Sequence, residues 1–252
     1  MKCIYIKGVK VSICDLETAS SEALRLSRLG SPYYICVTDA GNIVNAYRHS
    51  RELRTAINDS AISLPDGRPI SMLANAKGIA GMGRVAGPDF MEKMFRLTAG
   101  SGSGHFFIGD TEQTLKRLSD LVRKQFNAEV AGYISPPFGE SSGKIDEEIM
   151  RSVNSSGAEF VWVGLGGGKQ EIWMHRNIGH LDKGIMTGVG AAFRFMLGDI
   201  KRAPKPMQGA GLEWLFRLFQ QPGKMGKRYA STLPLFAVYS IQELLTNKMK
   251  SE

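Results

Sequence analysis

Residues 159–171 have the sequence EFVWVGLGGGKQE, in which a continuous apolar run leads into a glycine-rich loop. A short apolar run bounded by glycines predicts a buried strand, and the residues from about Gln170 onward predict a helix. A glycine-rich turn between a strand and a helix presents backbone amides, together here with Lys169, to an anion at the helix N-terminus. The glycines are equally consistent with a flexible turn that binds nothing, and their spacing matches neither the P-loop nor the dinucleotide-binding fingerprint.

Similar apolar runs recur along the chain with amphipathic segments between them. They are YYICVT (33–38), HFFIGD (105–110), EVAGYI (129–134) and IMTGVGAAF (185–193). Such alternation of strands and helices predicts an α/β fold with a mainly parallel sheet flanked by helices. Ligands of such sheets bind beyond the carboxyl ends of the strands, so the loops after these runs are candidate walls of a site.

The formal net charge of +8 predicts an anionic partner, namely nucleic acid, an anionic lipid surface or a phosphorylated small molecule. No familiar nucleic-acid-binding signature is present, which argues against the first of these. The cysteines Cys3, Cys14 and Cys36 lack the spacing of a zinc site, and we expect reduced thiols in a cytoplasmic protein. No apolar stretch reaches the roughly 20 residues of a membrane-spanning helix, which predicts that the protein is not integral.

The composition changes after Asp199. Residues 201–228 combine many lysines and arginines with aromatic and aliphatic residues, and a last helix is predicted over residues 234–250. This combination suits a surface that contacts anionic lipid headgroups, although a helix docked on the core has the same pattern. We therefore expect a core over residues 1–200 and a basic, membrane-proximal helical appendage over residues 201–252.

An ordered set of motifs resembles the WecG/TagA/CpsF family of bacterial glycosyltransferases. The motifs span most of the chain: VTDAGNIVNAYR (37–48), AISLPDGRPI (61–70), RVAGPDFM (84–91), HFFIGD (105–110), GYISPPFG (132–139), EFVWVGLGGGKQE (159–171), GVGAAFRF (188–195) and KRAPKPMQGAGLEWLFRL (201–218). The resemblance implies a Rossmann-like core with an appendage that touches the membrane and helps to close the site.

The activity implied by this resemblance is an inverting transfer of a sugar from a UDP-sugar to an undecaprenyl-pyrophosphate-linked saccharide during cell-surface polysaccharide assembly. The enzyme would be peripheral on the inner face of the cytoplasmic membrane, and it would need neither a cofactor nor a metal. The resemblance is also compatible with a homo-oligomer.

Asp66, the aspartate of the DG motif, is the catalytic base that the resemblance implies. The chemistry agrees, because inverting transfer needs a base for the proton of the acceptor hydroxyl, and a carboxylate is the usual choice. Pro-Asp-Gly is also a common β-turn sequence, in which the aspartate only bonds its own backbone. Thr38 matches the family threonine after the first long strand and is expected to hydrogen-bond substrate.

The remaining candidate residues bind phosphate or the donor sugar. Candidates for the donor are Arg84, Gly109, Pro137, Phe138, Gly164, Gly166, Lys169, Gln170, Gly190 and Arg194. Candidates for the acceptor or for a pyrophosphate are Arg202, Arg217 and Arg228, whose guanidinium groups can make bidentate contacts.

Three positions depart from the family pattern. Ala40 replaces an asparagine, Gly168 replaces the proline that commonly precedes KQE, and Arg194 replaces an aspartate. An added cation near the donor favours an acidic sugar such as glucuronic acid over a neutral hexose or an N-acetylhexosamine. Loss of two site residues also leaves open a non-catalytic scaffold that binds a nucleotide sugar within a polysaccharide assembly complex.

Overall fold

The strands of this computed structural model, which describes residues 1–137 and 143–246, form two sheets. They are β1 (Cys3–Ile6), β2 (Val9–Ser12), β3 (Pro32–Thr38), β4 (Ile62–Pro65), β5 (His105–Gly109), β6 (Val130–Ile134), β7 (Phe160–Gly164) and β8 (Gly184–Gly188). Strands β3 to β8 form one sheet in the order β4-β3-β8-β7-β5-β6, and every neighbouring pair is parallel. The predicted α/β fold with a parallel sheet is confirmed, and it is Rossmann-like.

Helices cover both faces of this sheet. They are α1 (Leu16–Ser27), α2 (Ala40–Arg48), α3 (Arg51–Asp59), α4 (Arg68–Ala76), α5 (Gly87–Leu97), α6 (Glu112–Phe126), α7 (Gly143–Ser156), α8 (Lys169–Asn177), α9 (Ala192–Met196), α10 (Lys205–Gly209), α11 (Glu213–Gln220) and α12 (Pro222–Leu245). One apolar cluster joins the sheet to α2, α3, α4, α7, α8 and α12, and a second joins it to α1, α5, α6 and α9. Burial on both faces explains why the strands are continuous apolar runs.

The N-terminal alternation of apolar and polar residues belongs to a β-hairpin. Strands β1 and β2 are antiparallel, and the turn residues Lys7 and Gly8 both have positive φ. A two-residue turn with this backbone matches the twist of paired strands. The hairpin therefore forms a small second sheet beside the parallel one.

The sequence prediction for the chain end is wrong about where the last helix begins. Helix α12 begins at Pro222 rather than at residue 234, and Pro234 lies inside it. A proline is favoured in the first turn of a helix, and Pro222 fills that position instead of Pro234. The predicted end at residue 250 lies outside the described residues, which follow α12 only to residue 246.

Helix α12 is docked on the core. Its residues Phe236 and Tyr239 are buried in the same apolar cluster as α2, and the Lys7 ammonium lies 5.5 Å from the Tyr239 ring. Within the described residues, no helix has the length and apolar character needed to cross a membrane. Residues after 200 thus pack on the sheet domain, and the predicted division of the chain at residue 200 stays a prediction.

His105, the first residue of β5, is buried and hydrogen-bonded in its neutral form. The indole Nε1 of Trp162 donates to Nδ1 of His105 at 3.0 Å, and Nε2 lies 2.8 Å from Oγ1 of Thr98. Since the Thr98 hydroxyl donates to the carbonyl of Met94 (2.8 Å), Nε2 carries the imidazole proton. Burial lowers the pKa of His105 to about 3.

Unfolding therefore adds a proton to His105 below its unperturbed pKa of 6.5, and the native state stays neutral down to about 3. We expect this residue to lower the free energy of unfolding by about 1.4 kcal/mol for each pH unit below that value. Urea unfolding at several acidic pH values would measure this slope in the wild type and in His105→Gln. The slope of the unfolding free energy against pH should be smaller in the variant by the contribution of about one proton. Equal slopes would contradict the prediction.

Candidate active site

Asp66 lies directly after β4, at the carboxyl edge of the sheet. Its backbone N–H donates to the carbonyl of Thr38 at 2.9 Å, so β3 and β4 end side by side. Gly67, with a φ of +90°, then turns the chain into α4 and caps that helix without a side-chain hydrogen bond. Asp66 is therefore not the helix cap, and its side chain lines a pocket.

This pocket lies between the edge of the sheet and helices α10 to α12. Four arginines predicted from the sequence line it together with Asp66, namely Arg84, Arg202, Arg217 and Arg228. Other residues of its wall were not predicted as site residues, and those used below are Asp39, Glu213, Trp214 and Tyr229. The structure thus joins residues far apart in the sequence into one cationic pocket.

Asp39 is the first residue that the sequence reasoning missed. Its Oδ1 accepts from the backbone N–H of Asn42 at 2.8 Å and caps α2, while its Oδ2 forms an ion pair with Arg228 of α12. Because Thr38 pairs with Pro65 in the parallel register, Asp39 and Asp66 follow adjacent strand ends. Knowledge that β3 and β4 are neighbours would have revealed this pair of carboxylates.

Arg84 and Arg202 share partners, although the sequence assigned them to donor and acceptor separately. Arg84 forms an ion pair with Glu213 and lies 4.0 Å from Asp89. Both terminal nitrogens of Arg202 contact Asp89, and its Nε lies 4.0 Å from Glu213. The two guanidinium groups therefore form one binding site for negatively charged groups.

Arg217 makes a different kind of contact. Its guanidinium lies over the ring of Phe195, 5.1 Å from the centroid, and no ion pair of Arg217 is found within residues 1–137 and 143–246. Trp214 and Tyr229 meet edge to face at 6.0 Å in the pocket wall. Trp214 is partly exposed in the pocket, whereas Trp173 is buried.

The environment of Asp66 favours its neutral form. The pKa of Asp66 is raised to about 7, first because burial penalises the carboxylate and then because the negative charge of Asp39 is near. Glu213 raises this pKa further, and the cationic Arg84 and Arg217 lower it. A carboxyl group with a pKa near neutrality is suited to accept a proton at physiological pH.

Thr38 is buried beneath this site. Its hydroxyl lies 2.8 Å from the hydroxyl of Ser63, and its side chain is not part of the pocket wall described above. Its carbonyl holds the backbone of Asp66. The structure therefore places Thr38 as support for Asp66, and a contact between Thr38 and substrate stays a prediction.

The glycine-rich loop lies outside the wall of the Asp66 pocket. Gln170 is buried, accepts from the N–H of Gly190 at 3.0 Å and donates to Glu171 at 3.0 Å, and Glu171 accepts from the N–H of Gly168 at 2.6 Å. Lys169 is exposed, and Gly166 has a φ of +95° with open space around it. Gly168 has a φ of +85°, which proline cannot adopt, so this loop differs from the family pattern in its backbone.

Gly109 and Gly164 are explained by packing. A Cβ on Gly109 would lie 2.7 Å from the backbone of Gly164, and a Cβ on Gly164 would lie 2.6 Å from the Phe193 ring. Arg194 donates to both carboxylate oxygens of Asp110, at 2.8 and 2.9 Å, and it is not in the pocket wall. The added cation of Arg194 is thus neutralised by the carboxylate of Asp110, directly after β5.

The remaining predicted donor residues lie after β6. Pro137 is exposed at the end of the described segment, and Phe138 lies outside the described residues. Donor contacts of Pro137, Phe138 and the loop glycines stay predictions.

The comparison with known protein families agrees with this geometry. The chain matches the model of the glycosyl transferase WecG/TagA/CpsF family over residues 4–250. The match includes both the sheet with Asp66 and the segments that carry the four arginines. The chain therefore belongs to the WecG/TagA/CpsF family of glycosyltransferases, which act in cell-surface polysaccharide biosynthesis.

Proposed function

We propose that this chain transfers a sugar from a UDP-sugar to a hydroxyl of an undecaprenyl-pyrophosphate-linked saccharide, with inversion at the anomeric carbon. The observation that carries the proposal is the position of Asp66 in a pocket walled by arginines. A base and a set of cations are the two chemical requirements of such a transfer without a metal.

In the proposed reaction, the Asp66 carboxylate takes the proton of the acceptor hydroxyl while the oxygen attacks the anomeric carbon. The bond between that carbon and the UDP oxygen breaks on the opposite face, and negative charge moves onto the leaving diphosphate. Guanidinium groups stabilise this charge, and Arg217 is available for it because it lacks an ion pair in the described residues. The nucleoside would extend along the sheet edge towards Gln170 and Gly190.

The donor sugar in this proposal is a hexose, an N-acetylhexosamine or a uronic acid. A uronic acid would have to compete with Asp110 for Arg194, since Arg194 is held by both oxygens of that aspartate. The geometry therefore gives Arg194 no special preference for an acidic donor.

The C-terminal helices support the proposed contact with an anionic membrane surface. In the segment after residue 200, Arg202, Arg217 and Arg228 line the pocket, whereas the side chains of Lys201, Lys205 and Lys227 are exposed. Large apolar side chains are exposed on the same helices, including Phe219 (77%) and Leu245 (82%). Exposed lysines beside apolar side chains are suited to the headgroup region of a bilayer.

Asp66→Asn tests the proposed base, because the amide has nearly the same size and cannot accept the proton. We expect sugar transfer to a lipid-linked acceptor to fall by about 10²- to 10⁴-fold while binding of UDP persists. Radiolabelled transfer and calorimetry measure the two quantities. Asp59→Asn is a matched control, since Asp59 contacts His175 outside the pocket wall, and it should change neither.

The scaffold alternative gives the opposite result. If the wild type binds UDP but transfers no sugar from any donor, and Asp66→Asn has no effect, the chain is a non-catalytic binding protein rather than a transferase.

The pH dependence of kcat/KM tests the environment of Asp66. The base works as an anion, so kcat/KM should fall as the pH drops below the pKa of about 7 and level off above it. Asp39→Asn removes a neighbouring negative charge, and asparagine can still cap α2. The pKa of Asp66 should then fall, which moves the acidic limb of the profile to lower pH. A limb that stays in place or moves to higher pH would contradict this account.

A further inference from the structure

Four charged side chains form a cluster of ion pairs at the junction between the sheet domain and the C-terminal helices. They are Arg84 and Asp89 from the core and Arg202 and Glu213 from the segment after residue 200. Each arginine approaches both carboxylates, at the distances given above. The two arginines therefore already bind two carboxylates of the protein itself.

The two carboxylates are held very differently. Asp89 lies in the first turn of α5, where the following residues Phe90 and Met91 are buried, and it contacts Arg202 through both oxygens. Glu213 is the first residue of α11, a helix with no buried residue. Asp89 is thus fixed by the core, whereas Glu213 is held mainly by its ion pairs.

The contact with Glu213 also leaves one hydrogen-bond donor of this cluster without an acceptor. The Nε of Arg202 is buried and has no hydrogen-bond partner in the described residues, and the nearest oxygen of Glu213 is 4.0 Å away. A buried donor without a partner is unfavourable, and guanidinium groups bind phosphate oxygens by several directed hydrogen bonds. An anion with more oxygens than a carboxylate would satisfy Arg84 and Arg202 together.

We propose that Glu213 competes with a diphosphate for Arg84 and Arg202, and that the bound diphosphate displaces the Glu213 carboxylate. The inference rests on the proposed function, which requires a diphosphate in this pocket. Both the nucleotide donor and the lipid-linked acceptor carry this group, and the shared chemistry is a dianionic or trianionic diphosphate. Displacement of Glu213 links ligand binding to the position of α11 and of the adjacent Trp214.

Glu213→Gln tests the competition, because it removes the charge and keeps the size of the side chain. Calorimetry with UDP and, separately, with farnesyl diphosphate would measure binding to the wild type and to the variant. We expect the variant to bind at least one of them roughly two- to fivefold more tightly, as removal of a partly exposed ion pair predicts. The ligand that gains affinity identifies the molecule whose diphosphate uses the site.

Two controls separate competition from a general change of charge. Glu52→Gln removes a carboxylate that pairs with Arg176 outside the pocket wall, and it should leave both affinities unchanged. In an Arg84→Gln background, Glu213→Gln should lose most of its effect, because Arg84 is the nearer of the two arginines for which the carboxylate competes. UDP should also change the fluorescence of Trp214 in the otherwise native protein, and Trp214→Phe should abolish that change.

Unchanged or weaker binding of both diphosphates by Glu213→Gln, with the wild type binding at least one, would overturn the inference. If neither the wild type nor any of the variants binds UDP, the proposed UDP-sugar donor is overturned instead. A gain with farnesyl diphosphate alone would then still support competition at Arg84 and Arg202.

Discussion

The parallel pairing of β3 with β4 places the proposed base. The hydrogen bond from the Asp66 N–H to the Thr38 carbonyl continues this pairing past the last residue of β4, so that Asp39 and Asp66 emerge side by side. Two carboxylates at adjacent strand ends repel each other, and the raised pKa of Asp66 partly reflects that repulsion. Arg228 moderates it by pairing with Asp39. The electrostatics of the site thus follow from the register of two strands.

The C-terminal helices complete what the sheet begins. They contribute Arg217 and Arg228 to the pocket, the segment just before α10 contributes Arg202, and Phe236 and Tyr239 of α12 anchor the helices on the core. Arginine suits the inner positions, because its guanidinium offers several directed donors to carboxylates and phosphates. The lysines described above remain outside, where a compact, strongly hydrated charge is favoured. One basic segment therefore has two surfaces, one towards the site and one towards solvent.

The fold was largely predictable from the sequence, since buried parallel strands such as β5 and β7 appear as continuous apolar runs. Asp66 and the arginines were predictable as separate residues on the strength of the family motifs. Their partners were not, because the ion pairs of Asp39 with Arg228 and of Arg84 with Glu213 join residues far apart in the chain. Gly109 and Gly164, at the ends of β5 and β7, allow close packing, which explains both glycines without a ligand, and their contacts with the donor stay predictions.

A crystal structure with bound UDP tests the central claim most directly. The account predicts that the nucleotide lies along the carboxyl edge of the sheet, with its diphosphate in contact with Arg84 and Arg202 and its outer phosphate facing Asp66. A nucleotide that contacts none of the pocket arginines and lies away from Asp66 would contradict it.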